Sequence, residues 1–463
     1  MMKKVAIMYG NYEKQRKAIE ILSKIILDFT HCYPACVECE KEVSADIKIY
    51  IGTKEDNKFI KGNSKKNLTH PEEYDITVKN NIVTIEGSDN AGVLYGCTDF
   101  YNKYIVKCEY PESFHLRWGN PLEYDLPDFE YSSYPKISER GIWTWGHVIY
   151  DYKGFIDNMV RLKMNSVVIW NDVVPVNAKE MVEYAHEMGV KVIWGYSWFW
   201  DTDCKKIDVE SVNDGIDDIL KKYEEEYLQV GGDGIYFQSF TEVQTEDIGG
   251  ILVADAVTKF VNAASEKFFE KYPDIELQFG LHATSVKEKL EYIQKVNPKV
   301  RIVWEDCGAF PFEYNPSKTE KFEETLALTE KIAVLRGEND RFGVVTKGIT
   351  NLDWADFKHL DEAIYFGVST RFMRKERTLK KKKAWKYIQS YWFTNARFVK
   401  DTIKLMAEKK KGNLYALGLV EDGMFEEQIM FPVALYAEML WDPYKDTNAI
   451  INEVALRNYV EFA

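Results

Sequence analysis

The sequence predicts an α/β protein in which a (β/α)8 TIM barrel follows a small α/β domain. The chain has 463 residues. A single hydrophobic core usually organises fewer residues than this, so two domains are expected. Beyond residue 139, eight short apolar segments alternate with helical segments, which is typical of a barrel. A doubly wound sheet is the alternative. We predict a small domain over 1–108, a connection over 109–138 and the barrel over 139–463.

The predicted small domain has its own order of elements. "KVAIMYG" is a short apolar strand, and "YEKQRKAIEILSKIILDF" carries apolar residues at helical spacing. "ADIKIYIGT" alternates as a strand does, and "YDITVKNNIVTIEGS" predicts a hairpin that turns at Asn80 and Asn81. A helix that begins near "NAGVLYGC" closes the domain. The proline-bearing, aromatic stretch after it has no sustained period, which indicates the connection.

The cysteines allow one metal hypothesis. "HCYPACVEC" brings His31, Cys32, Cys36 and Cys39 together, and these are ligands of soft metals. However, the stretch is apolar and aromatic like an interior strand, and no second ligand pair follows at zinc-finger spacing. Seven cysteines, an odd number, fit reduced thiols better than a disulfide framework. We predict no metal and no cofactor.

The barrel strands are predicted from apolar runs bounded by polar residues. Helical segments such as "DYKGFIDNMVRLKM" and "NAKEMVEYAHEMG" lie between them, each with an apolar stripe at three-to-four spacing. The eight runs are "RGIWTW" at 140–145, "SVVIWN" at 166–171, "VKVIWGY" at 190–196, "DGIYFQ" at 233–238, "IELQFGL" at 275–281, "VRIVWED" at 300–306, "FGVVTKG" at 342–348 and "LYALGLVED" at 414–422.

Charge and composition exclude several classes of partner. The formal charge of −14 argues against nucleic acid, whose phosphates require a basic face. "LKKKKAW" at 379–385 is a local exception, which we interpret as the solvated start of a helix. The N-terminal apolar stretch is too short for a signal peptide or membrane span, so we expect a cytoplasmic protein without a membrane partner. A monomer and a homo-oligomer both stay open.

The residues that follow the predicted strands carry the chemistry. In a TIM barrel the active site forms at the carboxyl ends of the strands, and there this sequence places many aromatic rings and several carboxylates. Aromatic faces stack on sugar rings, and carboxylates, amides and histidine bind hydroxyls, so we expect a carbohydrate site. The amino-terminal ends carry Ser, Lys, Arg and Asp, as surface turns usually do. The predicted sugar pocket comprises Trp143, Trp145, Asn171, Trp200, Gln238, His282, Lys347, Asp353, Trp354 and Asp422.

Three carboxylates are the candidate catalytic groups. Glycoside hydrolysis needs a protonated carboxyl at the leaving oxygen and a second carboxylate that activates water or attacks directly. Glu242 is the candidate acid, because Phe237 and Phe240 could raise its pKa by desolvation. Glu305 or Asp306 is the candidate second carboxylate, and strand alternation points one into the barrel mouth without deciding which. A metal held by His282, Glu242 and Asp306 is the alternative, but no HExxH pair supports it.

The sequence also resembles known glycoside hydrolases. "ADIKIYIGT" with "YDITVKNNIVTIEGSDNAGVLYGCTDF" resembles the small domain that precedes the barrel in family 20 β-hexosaminidases and family 67 α-glucuronidases. "SERGIWTWGHVIYDYKGFIDNMVRLKMNSVVIWND" resembles their barrel opening, and "MFPVALYAEMLWDP" their last barrel helix. Family 20 carries an Asp before its acid, where this chain has Thr241. The resemblance to family 67 therefore implies Glu242 as acid, Glu305 or Asp306 as second carboxylate, and inversion.

The expected function is that of a glycoside hydrolase cleaving an oligosaccharide or glycoconjugate. Two alternatives are a non-catalytic carbohydrate-binding barrel and a substrate-assisted N-acetylhexosaminidase. A third is an enzyme that acts on a non-sugar substrate through a metal. The distance between the two carboxyl groups distinguishes a glycoside hydrolase from a binding barrel, since glycosidases use separations of about 5–9.5 Å.

Overall fold

The computed structural model describes thirteen parts of the chain. They are residues 3–105, 126–171, 173–198, 215–239, 247–248, 250–282, 289–307, 322–350, 364–367, 371–411, 413–420, 425–457 and 459–463. The chain divides into two compact units. The first comprises Met1–Pro135 with Asn452–Asn458, and the second comprises Lys136–Ile451 with Tyr459–Ala463.

The first unit is built on a six-stranded sheet in the order β2-β1-β3-β5-β4-β6. β4 and β5 form the predicted hairpin, and Asn80 and Asn81 both adopt positive φ (52° and 61°). Such a pair of φ values belongs to the tight turn whose twist matches that of the flanking strands, and Asn tolerates it well. The hairpin prediction is confirmed. The strands are β1 (Val5–Tyr9), β2 (Ala35–Glu38), β3 (Ile47–Gly52), β4 (Tyr74–Lys79), β5 (Ile82–Gly87) and β6 (Phe129–Ser133).

Three helices accompany the sheet in the described residues, and the first and third lie where the sequence predicts a helix. α1 (Tyr12–Thr30) begins at Asn11, whose side chain accepts a hydrogen bond from the backbone N–H of Lys14. α2 spans Lys58–Asn63, and α3 (Asn90–Asp99) continues into a π-helical turn over Phe100–Ile105. Both long helices start at a polar residue that satisfies a free N–H group, which is the usual N-terminal signal.

Two details of this unit differ from the expectation. The cysteine stretch forms β2, which among the described strands pairs only with β1 and is therefore an edge strand and not an interior one. Cys32 is exposed, and no group of His, Cys, Asp or Glu among the described residues is arranged to hold a metal. In the segment predicted as a connection, β6 pairs with β4 and extends the sheet. Such pairing depends on residues far away in sequence, so local pattern does not reveal it.

The second unit contains a closed barrel of eight parallel strands, in the order β10-β13-β14-β15-β16-β7-β8-β9. Each strand lies within a predicted apolar run or overlaps it almost completely, so the (β/α)8 prediction is confirmed. The strands are β7 (Glu139–Trp145), β8 (Ser166–Trp170), β9 (Lys191–Gly195), β10 (Gly234–Phe237), β13 (Glu276–Leu281), β14 (Arg301–Cys307), β15 (Phe342–Thr346) and β16 (Leu414–Leu419).

Helices alternate with the barrel strands. They are α4 (Tyr152–Arg161), α5 (Ala178–Glu187), α6 (Gly215–Lys222), α7 (Val253–Lys271), α8 (Leu290–Ile293), α9 (Phe322–Ala333), α10 (Arg371–Lys409), α11 (Phe431–Trp441) and α12 (Thr447–Ala455). Two short ladders complete the strands: β11 (Asp247–Ile248) with β12 (Ile251–Leu252), and β17 (Ile429–Met430) with β18 (Val460–Glu461).

The lysine run "LKKKK" lies inside α10 and does not begin it. The helix starts at Arg371, and Lys381 within the run is buried. The run is thus helical, as predicted, but the prediction that it starts the helix is wrong. Among the described residues, no helix is both long and apolar enough to cross a membrane.

The amino-terminal end of the barrel is closed by a buried ion network. Arg301, the first residue of β14, donates from Nη2 to Glu139 Oε1 at 2.6 Å and from Nε to Glu276 Oε1 at 2.9 Å. Its guanidinium lies 4.7 Å from the centre of the Tyr415 ring. Arg301 is only 4% exposed. The expectation that only surface-turn residues occupy this end is therefore wrong, because the pairing that buries these charges joins three separate strands.

Candidate active site

Aromatic rings fill the barrel interior beneath the carboxyl ends of the strands. The Trp143 ring lies 4.7 Å from Trp145, 6.2 Å from Trp170 and 5.7 Å from Tyr236, measured between ring centres. All four belong to one buried cluster, with Trp143 4% and Trp145 7% exposed. The tryptophans predicted for the sugar pocket thus pack against one another, and Trp145 ends β7. Stacking of either ring on a sugar stays a prediction.

Above this layer, four adjacent strands converge on the carboxylate of Glu305. Tyr236 and Gln238 come from β10 and its end, and both donate to Glu305 Oε1. His282, directly after β13, places Nε2 3.0 Å from Glu305 Oε2. Lys347, directly after β15, places Nζ 3.8 Å from the same oxygen. The structure brings together Gln238, His282, Glu305 and Lys347, which sequence reasoning had placed in one site from their positions after strands.

Glu305 points into the barrel because β14 alternates up to this residue. Val303 belongs to the interior cluster, whereas Trp304 donates from Nε1 to Thr329 on α9, outside the barrel. Glu305 therefore faces inward again. The pairing with β15 then shifts register between Trp304 and Cys307, which indicates a β-bulge at this point. Bulges occur next to active sites because they redirect side chains. The side chain of Asp306 lies outside the described part of the chain.

The surroundings of Glu305 keep it ionised. Burial alone would raise the pKa of its carboxyl, but the His282 imidazole, the Lys347 ammonium and the Tyr236 hydroxyl together hold that pKa below its ordinary value. Conversely, burial and the neighbouring Glu305 charge raise the pKa of the Tyr236 phenol well above its usual value, so that it remains a donor. Glu305 is a carboxylate at neutral pH and cannot serve as the proton donor.

Two residues of this site escaped sequence reasoning. Tyr236 reads as an ordinary core aromatic in "DGIYFQ", although period-two alternation places it on the same face as Gln238. Gly280 is the fifth of the six residues of β13, and a Cβ atom there would overlap both Tyr236 Oη and Glu305 Oε1. A glycine inside a strand pattern is a known sign of close approach, and that signal was present in "IELQFGL".

We expect Gly280→Ala to disrupt the site. The added methyl group must separate Tyr236 from Glu305, which costs about 1–3 kcal/mol of stability by overpacking and lowers turnover. Denaturant unfolding and steady-state kinetics measure the two effects. Gly62→Ala on α2 is the matched control, because a Cβ at Gly62 meets no atom within 4 Å. Equal stability and turnover of both variants would contradict the tight contact.

Polar groups with no hydrogen-bond partner among the described residues complete the mouth. Asn171, directly after β8, packs its side-chain oxygen against Gly146 and leaves Nδ2 buried and unpaired. Ser239, which follows Gln238, is 1% exposed and its Oγ is likewise unpaired. Buried donors without partners are costly, so their presence at a barrel mouth is typical of groups that a ligand satisfies.

Five predicted site residues lie outside the described residues. They are Trp200, Glu242, Asp353, Trp354 and Asp422. The candidate acid is among them, and its assignment rests on its position after β10.

The fold was compared with known proteins. No family model matches the sequence, and no curated protein matches it significantly. Solved structures do match. CpGH84B, of glycoside hydrolase family GH84, superposes with a TM-score of 0.57 at 11% identity, over 97% of this chain and 70% of that one. The GH20 exo-β-N-acetylglucosaminidase from Vibrio harveyi, in complex with N-acetylglucosamine, gives 0.56 at 8% identity, over 98% and 73%.

A third structure is that of BtGH115A, a family GH115 4-O-methyl-α-glucuronidase with specificity for decorated arabinogalactans. It gives a TM-score of 0.54 at 12% identity over 97% of this chain. This chain spans 58% of that one. The chain has the fold of these glycoside hydrolases. At such identities the likeness concerns the fold, so the roles of residues in this glycoside hydrolase-like barrel must be argued from its own geometry.

The low pKa of Glu305 predicts a pH dependence for this barrel. If activity needs the ionised carboxylate, the acid limb of kcat/KM lies below the ordinary glutamate value of 4.5. Lys347→Met removes a positive charge near Glu305, so the pKa of Glu305 rises and the limb moves to higher pH. Lys347→Arg, which keeps the charge, should leave the limb close to its original position. An unmoved limb in Lys347→Met would refute the assigned electrostatics.

Proposed function

We propose that the chain is a glycoside hydrolase that cleaves an O-glycosidic bond of an oligosaccharide or glycoconjugate. One observation carries the proposal: an ionised, buried carboxylate, Glu305, lies at the carboxyl ends of the barrel strands, held by donors from three neighbouring strands. This is the end at which TIM-barrel enzymes carry their active sites. The shared fold with several glycoside hydrolases supports the same conclusion.

The two carboxyl groups take different roles. Glu242 protonates the glycosidic oxygen, so the leaving group departs as an alcohol. Glu305, which is ionised, stabilises the positive charge that develops on the sugar ring and takes a proton from the attacking water. Because its pKa is lowered, Glu305 is only a modest base, but its carboxylate keeps its negative charge. Asp306 remains the alternative second carboxylate. An inverting outcome is proposed from the resemblance to family 67.

The unpaired donors around the mouth suit a hydroxyl-rich ligand. Asn171 Nδ2 and Ser239 Oγ can each donate to a sugar oxygen, and the Lys347 ammonium, which lies 3.8 Å from Glu305 Oε2, adds a cationic group at the same end of the barrel. Sugar binding would satisfy these groups without rearranging the barrel. Trp143, Trp145, Trp200, Asp353, Trp354 and Asp422 complete the proposed pocket.

A panel of nitrophenyl glycosides that includes uronic acids and N-acetylhexosamines tests the proposal. We expect at least one member to be hydrolysed, and Glu242→Gln to abolish that turnover while the sugar still binds and the chain still folds. Glu270→Gln on the exposed face of α7 is a matched control and should keep native turnover. A fully active Glu242→Gln variant would overturn the assignment of the acid.

A non-catalytic carbohydrate-binding barrel is the second candidate. It is favoured by the full engagement of Glu305, whose two oxygens already contact four groups. The distance between the Glu242 and Glu305 carboxyl groups in a crystal structure discriminates. About 5–5.5 Å fits a retaining enzyme and roughly 6.5–9.5 Å an inverting one, and a much larger separation favours binding alone.

The panel also decides on substrate-assisted hydrolysis of N-acetylhexosaminides. The neighbour from Vibrio harveyi is described with N-acetylglucosamine, whereas this chain has Thr241 before its candidate acid. We therefore rank neutral and acidic glycosides above N-acetylhexosaminides. The cytoplasmic location, the lack of a cofactor and the oligomeric state stay predictions from the sequence.

A further inference from the structure

The first half of α10 ends near the carboxyl end of β15, on the side of the candidate site. Trp392 donates from Nε1 to the backbone oxygen of Gly348, just after β15, at 2.8 Å. At the other end, Lys410 donates to the oxygens of Ala333 and Gly337, before β15 begins. The helix thus runs antiparallel to β15, and residues 371–391, a length of about 30 Å of helix, precede the contact with Gly348 at the carboxyl end of that strand.

This segment has a charge opposite to that of the chain. Residues 371–387 contain nine Lys and Arg and one Glu, a net charge of +8, whereas the whole chain carries −14. Arg377 contacts Tyr150, in the loop after β7, which also lies on the mouth side of the barrel. A strongly basic helix therefore stands beside the mouth of an acidic protein.

Lysines and apolar side chains share the exposed face of this segment. Trp385, Ile388 and Trp392 are buried and form the opposite face at helical spacing. On the exposed face, Phe372 is 72%, Leu379 66% and Tyr387 48% exposed. Between them lie exposed lysines at the same spacing. We call this face the basic strip, and define it as Phe372, Lys375, Leu379, Lys383, Lys386 and Tyr387.

We propose that the basic strip is a docking surface for an anionic polysaccharide. The inference rests on the proposed function, because it gives the polymer that carries the scissile bond a second contact outside the mouth. From Phe372 to Tyr387 the strip spans about 22 Å along one helix, a linear track that suits a linear polymer. The ammonium groups pair with carboxylates of the glycan, and the Phe372 and Tyr387 rings pack on its sugar faces.

The arrangement fits this partner better than other polyanions. A membrane-surface helix keeps its apolar residues together and its lysines on the opposite side. Here Lys375 and Lys383 lie between Phe372, Leu379 and Tyr387, so the apolar side chains cannot enter hydrocarbon without the charges. Duplex nucleic acid carries one charge per about 1.7 Å, so the acidic remainder of the chain repels it more strongly than it repels a polyuronate. A polyuronate is less densely charged.

Binding of polygalacturonate to the full chain at low ionic strength, followed by calorimetry, tests the inference. The test variant is Lys375→Gln/Lys383→Gln/Lys386→Gln. Its matched control is Lys14→Gln/Lys24→Gln/Lys61→Gln, three exposed lysines of the first unit. We expect the test variant to bind about tenfold more weakly and with a smaller salt dependence, and the control to bind like the native chain. Phe372→Ser should weaken binding without changing the salt dependence.

Several results would overturn the docking surface. The native chain could fail to bind polygalacturonate, or the test and control variants could lose the same amount of affinity. Binding of an uncharged galactan as tight as that of polygalacturonate would also contradict the proposal. Tighter binding of phosphatidylserine vesicles or of a single-stranded oligonucleotide would assign the strip to those partners instead. The readout needs no turnover. If the native chain hydrolyses glycosides but does not bind polygalacturonate, only the docking surface is refuted. If it binds polygalacturonate through the basic strip but hydrolyses no glycoside, only the proposed activity is refuted.

Discussion

Glu305→Gln is expected to lower turnover by about 10²–10³-fold while the chain stays folded. The substitution keeps the shape of the side chain and removes its negative charge. The Tyr236 hydroxyl can still donate to the amide oxygen, but the charge that would balance a developing cation on the sugar is lost. We expect kcat to fall and KM to change little, because the charge matters most in the transition state.

Two further variants separate catalysis from packing. Glu305→Asp keeps the charge but withdraws it by one methylene, so turnover falls and the acid limb of the pH profile remains. Glu266→Gln, on the exposed face of α7, changes the same functional group elsewhere and should leave turnover unaltered. If Glu305→Gln lowered the melting temperature and kept native kcat, Glu305 would be a structural residue of the barrel.

Arg301→Ala is expected to cost about 3–5 kcal/mol of unfolding free energy. Arg301 is buried between Glu139 and Glu276. Burial alone would raise the pKa of Glu139, but the charge of Arg301, together with that of Lys191, holds it below the ordinary value. Removing the guanidinium leaves two partly buried carboxylates, 22% and 12% exposed, with the more exposed Lys191 and Arg341 as their remaining cationic partners. Denaturant unfolding measures the loss.

The same network predicts how stability depends on pH. Because the folded-state pKa of Glu139 is lowered, its contribution is present above the unfolded pKa and is lost as pH falls through the folded one. Arg301→Ala should shrink this dependence. Arg341→Ala is the control: Arg341 pairs with Glu276 at 3.2 Å but is 43% exposed, so its loss should cost at most about 1 kcal/mol. Similar costs for both variants would contradict the burial argument.

Most of the fold could be predicted because its signals are local. Each barrel strand is a short apolar run, and the hairpin turns at two asparagines that tolerate positive φ. What could not be predicted depends on distant partners. The edge position of β2, the pairing of β6 with β4 and the burial of Arg301 between two other strands are set by contacts that no sequence window contains.

The candidate site was predictable in outline for the same reason. Gln238, His282, Glu305 and Lys347 each follow or end an apolar run, and a parallel barrel brings such positions to one rim. The choice of Glu305 as the inward carboxylate required the structure, because a bulge interrupts the alternation beside it. Tyr236 and Gly280 stayed hidden because an aromatic residue and a glycine inside a strand both read as packing.

The proposed pair of catalytic carboxyl groups is tested by measuring turnover of the best substrate in the glycoside panel for the native chain and for the Glu242→Gln/Glu305→Gln double variant. We expect measurable hydrolysis by the native chain and none above the uncatalysed rate by a folded double variant. A native chain that binds sugars and hydrolyses none, or a double variant that retains the native rate, would contradict it.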